Sequence, residues 1–117
     1  MTQNRGIVLH VAYDEPERIL KAMHSARNAL NVLGTDVVID IIAQGGSVTG
    51  AAKSAAAADE IATMLNELPS VTIHLCGMAV EGTGTNESDL IDGVRIAPTA
   101  TAFAAQRQFE GYAYVRV

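Results

Sequence analysis

Val37-Val-Ile-Asp-Ile-Ile-Ala43 is a short run dominated by β-branched residues, and Gly45 and Gly46 follow it. It is too short for a typical helix, and β-branched side chains fit the pleated surface of a sheet, so the run predicts a β-strand. Before it, apolar residues recur at three- and four-residue steps from Arg18 onward, and Gly34 ends that pattern. This spacing predicts an amphipathic helix.

The rest of the chain alternates in the same way. Further strands are predicted at residues 6–12, 71–75, 94–97 and 112–117. Further helices are predicted at 51–68, 88–91 and 99–108, and Asp14 with the acids and proline after it resembles a helix start. Such alternation implies right-handed crossovers, so the predicted fold class is α/β, with helices on both faces of a mainly parallel sheet. The strand order stays open.

Length and composition bound the architecture. A chain of 117 residues fits one domain, residues 1–117, because single cores usually occupy about 100 to 150 residues. Apolar residues make up 49% of the chain and charged residues only 18%, a low charge content for a small monomer. A parallel sheet covered on both faces explains part of the low charge content, and burial of apolar surface between subunits would explain the rest. Self-association is therefore predicted.

The charge excludes two classes of partner. The formal net charge is −5 at pH 7, and no cluster of lysines and arginines occurs. Nucleic acids and anionic membranes select for basic patches, so neither is predicted to bind this chain. No apolar run approaches the roughly 20 residues that a membrane span needs, and a cytoplasmic location is predicted. The only cysteine cannot form an intramolecular disulfide.

That cysteine, Cys76, is the main candidate for chemistry. It directly follows the predicted strand 71–75, and ligands of open parallel sheets gather outside the carboxyl ends of the strands. The residues after it, 77–80, can start a helical turn, whose N–H groups would favour the thiolate. A thiolate can attack sulfane sulfur or carry a persulfide. The alternative is a small buried hydrophobe with no reactive role.

His74 is the nearest candidate base. Strand alternation places Thr72, His74 and Cys76 on one face of the sheet. His74 could therefore assist the thiol, or it could be a histidine satisfied by other partners in the sheet. Both interpretations stay open.

Two glycine-rich segments and the histidines carry weaker indications. Residues 45–50 and 81–88 contain glycines and hydroxyls that suit oxyanions, but the patterns favour an ordinary turn or helix start in both segments. His10, His24 and His74 lack the spacing of metal ligands. No metal and no cofactor is predicted.

The whole chain resembles the DsrE/DsrF-like family of small sulfur-oxidation and sulfur-relay proteins. The resemblance runs nearly end to end, and its most specific string is the last in the chain. Its landmarks are Val8-Leu-His-Val11, Asn28 within Ser25-Ala-Arg-Asn-Ala-Leu30, Ile42-Ala-Gln-Gly45, Cys76-Gly77, Asp89-Leu-Ile-Asp-Gly-Val94, Pro98 and Gln108-Phe-Glu-Gly-Tyr-Ala-Tyr114.

The resemblance implies a three-layer α/β/α domain with a five-stranded sheet, assembled as trimers, hexamers or heteromers. It also implies that Cys76 matches the cysteine that accepts a persulfide in sulfur-relay members and passes it on. Asn28, Gly45, Gly77 and Gln108 match positions that shape a pocket or a subunit interface. The chain departs from the family at residues 78–79, where Met-Ala replaces a frequent Asn-Thr, and in residues 82–85, which lack a histidine found in many relatives.

Two functions follow as hypotheses. In the first, the protein is a sulfur carrier or sulfurtransferase in which Cys76 is the nucleophile, and separate sulfur donor and acceptor partners supply and remove the sulfur. In the second, it is a non-catalytic oligomeric module that binds a small anion or metabolite, and Cys76 only packs.

Overall fold

Five parallel strands form one sheet in the order β4-β3-β2-β1-β5 in a computed structural model, which describes residues 5–117. The strands are β1 (Gly6–Val11), β2 (Val38–Ala43), β3 (Val71–Cys76), β4 (Arg95–Ala97) and β5 (Ala113–Arg116). The predicted α/β class and parallel sheet are confirmed. The strand order, which the sequence left open, puts β1, β2 and β3 in the interior of the sheet.

Four helices connect the strands. They are α1 (Arg18–Leu33), α2 (Ala58–Glu67), α3 (Gly77–Gly82) and α4 (Ala100–Phe109), with short 3-10 segments at Gly45–Ala51 and Glu87–Asp89. The Thr99 hydroxyl accepts a hydrogen bond of 3.0 Å from the backbone N–H of Ala102, which caps α4. The helix predicted at 99–108 is present as α4, with slightly different bounds. The one predicted near 88–91 is present only as a single 3-10 turn, Glu87–Asp89.

The two faces of the sheet carry different layers. Side chains of β1, β2 and β3 that alternate toward one face pack with α1 and α2 in the larger apolar core. On the other face Val8, Ile42 and Cys76 pack against Ala100 and Phe103 of α4. This arrangement is a three-layer α/β/α sandwich, in which α4 covers the face that carries Cys76 and Ala79 of α3 also packs against that cluster.

Tertiary contacts shorten the predicted helix at 51–68. The helix begins only at Ala58, because the backbone before it is already engaged elsewhere. The N–H of Lys53 donates to the carbonyl of Asp89 at 2.7 Å, and the N–H of Ile91 donates to the carbonyl of Ala51 at 2.9 Å. These bonds flank an isolated antiparallel bridge between Ala52 and Leu90, and the high helix propensity of alanine does not overcome them.

The predicted helix start at Asp14 is also wrong in detail. The residue before α1 is Glu17, which makes no capping hydrogen bond with its side chain. Asp14 instead accepts a 3.1 Å hydrogen bond from the N–H of Gly46, in the segment after β2. The acid therefore joins two loops at the carboxyl edge of the sheet and does not cap the helix.

Candidate functional site

Cys76 is the last residue of β3 and directly precedes α3. Its backbone is extended, with φ −63° and ψ 119°, and it occupies the N-cap position of that short helix. The helical turn predicted after the cysteine is present. The residue is 8% exposed and belongs to the apolar cluster beneath α4. The thiol thus lies at the carboxyl edge of the sheet, close to solvent but covered by apolar atoms.

Gly77 allows the chain to turn tightly after the thiol. A Cβ atom at this position would lie 3.0 Å from the carbonyl oxygen of Ala97 and 3.3 Å from that of Pro98. Both oxygens belong to the backbone, which cannot move aside as a flexible side chain would. The absence of a side chain therefore lets β3 and the segment after β4 converge at the cysteine.

His74 lies on the same face as Cys76, as strand alternation predicts, but its hydrogen-bond partner is Asp40. The His74 Nε2 atom is 3.2 Å from Asp40 Oδ1, and the Arg107 Nε–H donates to Asp40 Oδ2 at 2.7 Å. The ring of Phe103 packs over His74, with centroids 4.4 Å apart. The imidazole is thereby held in a charged network between the sheet and α4, which is the arrangement of a satisfied sheet histidine.

The same network keeps Asp40 ionised. Burial by itself would raise the pKa of Asp40, but hydrogen bonds and charge interactions with His74 and Arg107 outweigh it and lower the pKa below the ordinary value. Burial would lower the pKa of Arg107, but Asp40 more than compensates and raises it. Opposite charges therefore hold α4 to the central strand β2.

A second polar group lies on the same face and joins β2, β1 and β5. The Nε2 atom of His10 is 2.8 Å from Oε1 of Gln44, and its Nδ1 atom is hydrogen-bonded to the hydroxyl of Tyr114. Because the amide oxygen is only an acceptor, Nε2 carries the proton of a neutral ring and Nδ1 accepts from Tyr114. His10 is thus fixed in position by partners on two neighbouring strands.

Three residues implied by the family resemblance lie in different places. Asn28 is exposed on α1, the helix that packs on the face opposite to Cys76. Gly45 follows β2 at the carboxyl edge, with φ +65°, where a Cβ atom would lie 2.8 Å from Asp14 Oδ1. Gln108 is exposed on α4, where its Nε2 atom donates to the carbonyl of Ala104 at 3.4 Å. Only Gly45 shares the edge of the sheet that carries the thiol.

The two glycine-rich segments use their hydroxyls internally. Ser47 donates to the carbonyl of Gln44 at 2.8 Å, and Thr49 donates to that of Gly46 at 2.9 Å. In the other segment Thr83 donates to Ala79 at 2.9 Å. These bonds are those of ordinary turns, the second of the two interpretations that the sequence allowed.

A cavity of about 340 Å³ lies away from the cysteine, between the start of α1 and the segment before α2. It is lined by Pro16, Glu17, Thr49, Gly50, Ala55, Ala56 and Ala57. Within residues 5–117 no group of three or more His, Cys, Asp and Glu side chains could hold a metal ion. No helix of this part of the chain is long and apolar enough to cross a membrane.

Several solved structures share the fold, and three of them show its breadth. A protein of unknown function from Methanobacterium thermoautotrophicum is 25% identical, with a TM-score of 0.81 and coverage of 98% of this chain and 100% of its own. The ychN protein from E. coli is 18% identical, with a TM-score of 0.71 and coverage of 99% and 100%. A conserved protein of unknown function from Bacteroides thetaiotaomicron is 19% identical, with a TM-score of 0.66 and coverage of 96% and 94%.

No family model matches the chain, and no curated protein matches it. The structural likenesses cover almost the full length of each chain. The five-stranded parallel α/β sandwich is thus a shared fold.

Sequence reasoning missed the hydrogen-bond partners of His74 and His10 on the face that carries the thiol. Asp40 was visible as the only charged residue in an otherwise apolar strand, which is a usable indication of a buried ion pair. Its partner Arg107 is 67 positions away in the sequence, and Tyr114 is 104 positions from His10. No local spacing connects such residues, so they become neighbours only through the strand order.

Proposed function

We propose that this protein is a sulfur carrier, in which Cys76 holds sulfane sulfur as a persulfide and passes it to a protein or thiol acceptor. The Cys76 thiolate attacks the sulfane sulfur of a donor, a new S–S bond forms, and the donor's bond to that sulfur breaks. The bonding electron pair leaves with the donor fragment, so no external oxidant or reductant is needed. The resemblance to DsrE/DsrF-like sulfur-relay proteins and the shared fold support this proposal.

The observation that carries the proposal is the position of Cys76. It ends an interior strand of a parallel sheet and precedes a helical turn, where backbone N–H groups without helical partners favour a negative charge. Because His74 is paired with Asp40, the thiol proton leaves to solvent or to the donor in this mechanism. With one cysteine in the chain, the sulfur must leave to another molecule.

Intact-protein mass spectrometry without reductant tests the carrier function directly. After incubation with polysulfide, the protein is expected to gain the mass of whole sulfur atoms, and a reducing agent is expected to remove them. Cys76→Ser should gain none, and neither should the parent after iodoacetamide treatment. A parent that stays unmodified, or a Cys76→Ser variant that loads equally well, would exclude the persulfide mechanism.

One observation favours the alternative of a non-catalytic binding module. Cys76 is only 8% exposed and packs with Ala97 and Ala100, as a structural cysteine would. In that function the protein binds a small anion or metabolite, and Cys76→Ser retains the binding. The rate of alkylation of the folded protein distinguishes the carrier function from the binding module. A carrier thiol must react with iodoacetamide while the protein stays native.

Assembly into a homo-oligomer, a trimer or a hexamer, is part of the proposal. Large apolar side chains stand in solvent in the single chain, with Val32 84% and Phe109 81% exposed. The edge strand β5 adds Tyr114 and Val115, each 42% exposed. A cytoplasmic location fits the carrier function, because the reducing environment keeps a lone thiol free.

Light scattering coupled to size-exclusion chromatography measures the assembly. The expected mass is a multiple of the 12.3 kDa chain, three or six copies. Replacing the exposed Phe109 with glutamate should lower that mass if the apolar surface at the end of α4 is an interface. A parent that elutes as a monomer across a range of concentrations would rule out the proposed assembly.

A further inference from the structure

The two edges of the sheet differ in how far they are covered. β4 has only three residues, its last residue Ala97 is buried, and Pro98 follows directly. β5 is exposed at all four of its positions, Ala113–Arg116, so neither helix layer closes over it. Proline and lysine are residues that commonly protect an edge strand, and β5 contains neither. β5 is therefore the open edge of the sheet.

The hydrogen-bond ladder shows which backbone groups of β5 are free. The N–H of Val117 donates to the carbonyl of His10 at 3.0 Å, so the odd-numbered residues of β5 face β1. Successive residues of a strand present their N–H and C=O groups to opposite sides, so those of Tyr114 and Arg116 point away from the sheet. Within residues 5–117 no loop or helix supplies a backbone partner for these groups. Two donors and two acceptors thus line the open edge.

A second copy of the same strand fits this edge in the antiparallel direction. With Val115 opposite itself, Tyr114 of each copy faces Arg116 of the other, and these two pairs can exchange four hydrogen bonds. Residues directly opposite share a face of the sheet, so the guanidinium of Arg116 meets the ring of Tyr114, and the two Val115 side chains meet on the other face. The edge is therefore complementary to itself.

Neighbouring registers fit less well. A shift that sets Arg116 opposite itself brings two like charges face to face, which is destabilising. A shift that sets Tyr114 opposite itself would pair Arg116 with Tyr112, which precedes the strand and whose N–H already donates to the carbonyl of Arg107 at 3.0 Å. The register centred on Val115 is the one that uses every free group of β5.

The small size of this contact decides what it can hold together. Four residues on each side bury well under the roughly 1,200 Å² of total surface that a stable interface needs, so β5 alone would not hold a dimer. A hexamer built from two trimers repeats the contact three times, and linked contacts strengthen one another. The contact also has a two-fold axis, which requires an even number of copies. A trimer has no such axis.

We propose that β5 is an interaction surface for β5 of a second copy of this chain, and that the antiparallel pair joins two trimers into a hexamer. The five-stranded sheets of the two copies then continue into one another across the two-fold axis at Val115. This inference rests on the assembly included in the proposed function, which it deepens by naming the surface and by selecting six copies over three. It does not depend on the chemistry of Cys76.

Disulfide trapping tests the contact and its register. Cys76→Ser removes the native thiol, and Val115→Cys in that background places one thiol on the two-fold axis. Opposite residues of a non-hydrogen-bonded antiparallel pair have Cα atoms about 4.5 Å apart, a separation that a disulfide can span. Mild oxidation is therefore expected to convert the chains to a covalent dimer on a non-reducing gel. Val32→Cys in the same background is the matched control, since Val32 is 84% exposed on α1, away from the strand edge, and should stay uncrosslinked.

A charge at the same position tests the assembly. Val115→Glu sets two carboxylates directly opposite each other, so it is expected to halve the mass measured by light scattering, from six copies to three. Val115→Thr keeps a β-branched neutral side chain and should retain the parent's mass. Both variants should keep the parent's circular dichroism spectrum, because Val115 is 42% exposed in the single chain.

The outcomes separate the contact from the carrier function. If Val115→Cys gives no covalent dimer, or Val115→Glu keeps six copies, the β5 contact is wrong while the assembly stands. A parent of three copies also overturns the contact, because a trimer has no two-fold axis. Loading of Cys76 from polysulfide is measured separately on Val115→Glu and should match the parent. A parent that crosslinks through residue 115 but takes up no sulfur would remove the carrier function and leave the contact in place.

Discussion

Replacing Asp40 with alanine is expected to lower the free energy of unfolding by about 3 kcal/mol, at the lower end of the loss seen when a buried ion pair loses one partner. The Asp40 side chain is 7% exposed and holds both His74 and Arg107, which are 11% and 25% exposed. Without the carboxylate, His74 loses its hydrogen-bond partner beneath α4, and Arg107 keeps only the more exposed Glu110, at 3.3 Å. The partial exposure of Arg107 allows some rehydration, which keeps the cost from being larger.

Chemical denaturation followed by circular dichroism measures this loss. Asp92→Ala is the control, because its side chain is fully exposed and its ion pair with Lys53 is long, at 3.9 Å. The control is expected to unfold at the parent's midpoint. If Asp40→Ala and Asp92→Ala unfold at the same denaturant midpoint, the Asp40 network contributes nothing to stability. In that case α4 must be held by its apolar contacts alone.

The contribution of Asp40 depends on pH with a definite sign. Its pKa is lowered by folding, so the unfolded state binds the proton more readily than the folded state. The stabilisation is therefore fully present above the ordinary carboxyl pKa of 3.8 and is lost as the pH falls through the lower pKa of the folded state. The difference between the parent and Asp40→Ala should shrink when the denaturation is repeated below pH 3.8. A constant difference would mean that the charge of Asp40 is not what stabilises the fold.

The sequence predicted the layers better than it predicted the site. Residues 37–43 and 71–75 became interior strands because β-branched runs between glycines or prolines have few other stable conformations. Alternation placed His74 and Cys76 on one face, which the structure confirms. In each case the information is local, since the period of a strand is fixed by the backbone.

The contacts of these side chains were not predictable, because they depend on which strands are neighbours. His74 lies beside Asp40 only because β3 pairs with β2, and the two residues are 34 positions apart. Gln44 reaches His10 over the same separation because β2 pairs with β1. The helix predicted at 51–68 failed for a related reason. Hydrogen bonds from residues 51 and 53 to the segment at 89–91 override the local preference for helix.

Replacing Gly50 with alanine is the second substitution expected to destabilise the fold strongly, by about 3 kcal/mol, the upper part of the range for overpacking. An added Cβ atom would lie 2.0 Å from the carbonyl oxygen of Pro16 and 2.9 Å from its carbonyl carbon. Both are backbone atoms, and the oxygen also accepts the N–H of Ile19 at 3.3 Å in the first turn before α1. The clash can be relieved only by moving the start of α1 away from the segment that follows β2.

Gly82→Ala is the matched control for Gly50→Ala, because nothing lies within 4 Å of a Cβ atom added at the end of α3. Its unfolding midpoint should equal or slightly exceed the parent's, since alanine is the better helix former. The clash at Gly50 is on the layer of α1 and α2, across the sheet from Cys76. Folded Gly50→Ala should therefore load sulfur at Cys76 like the parent while it unfolds at lower denaturant concentration. An unchanged midpoint would show that the segment after β2 does not approach Pro16 this closely in solution.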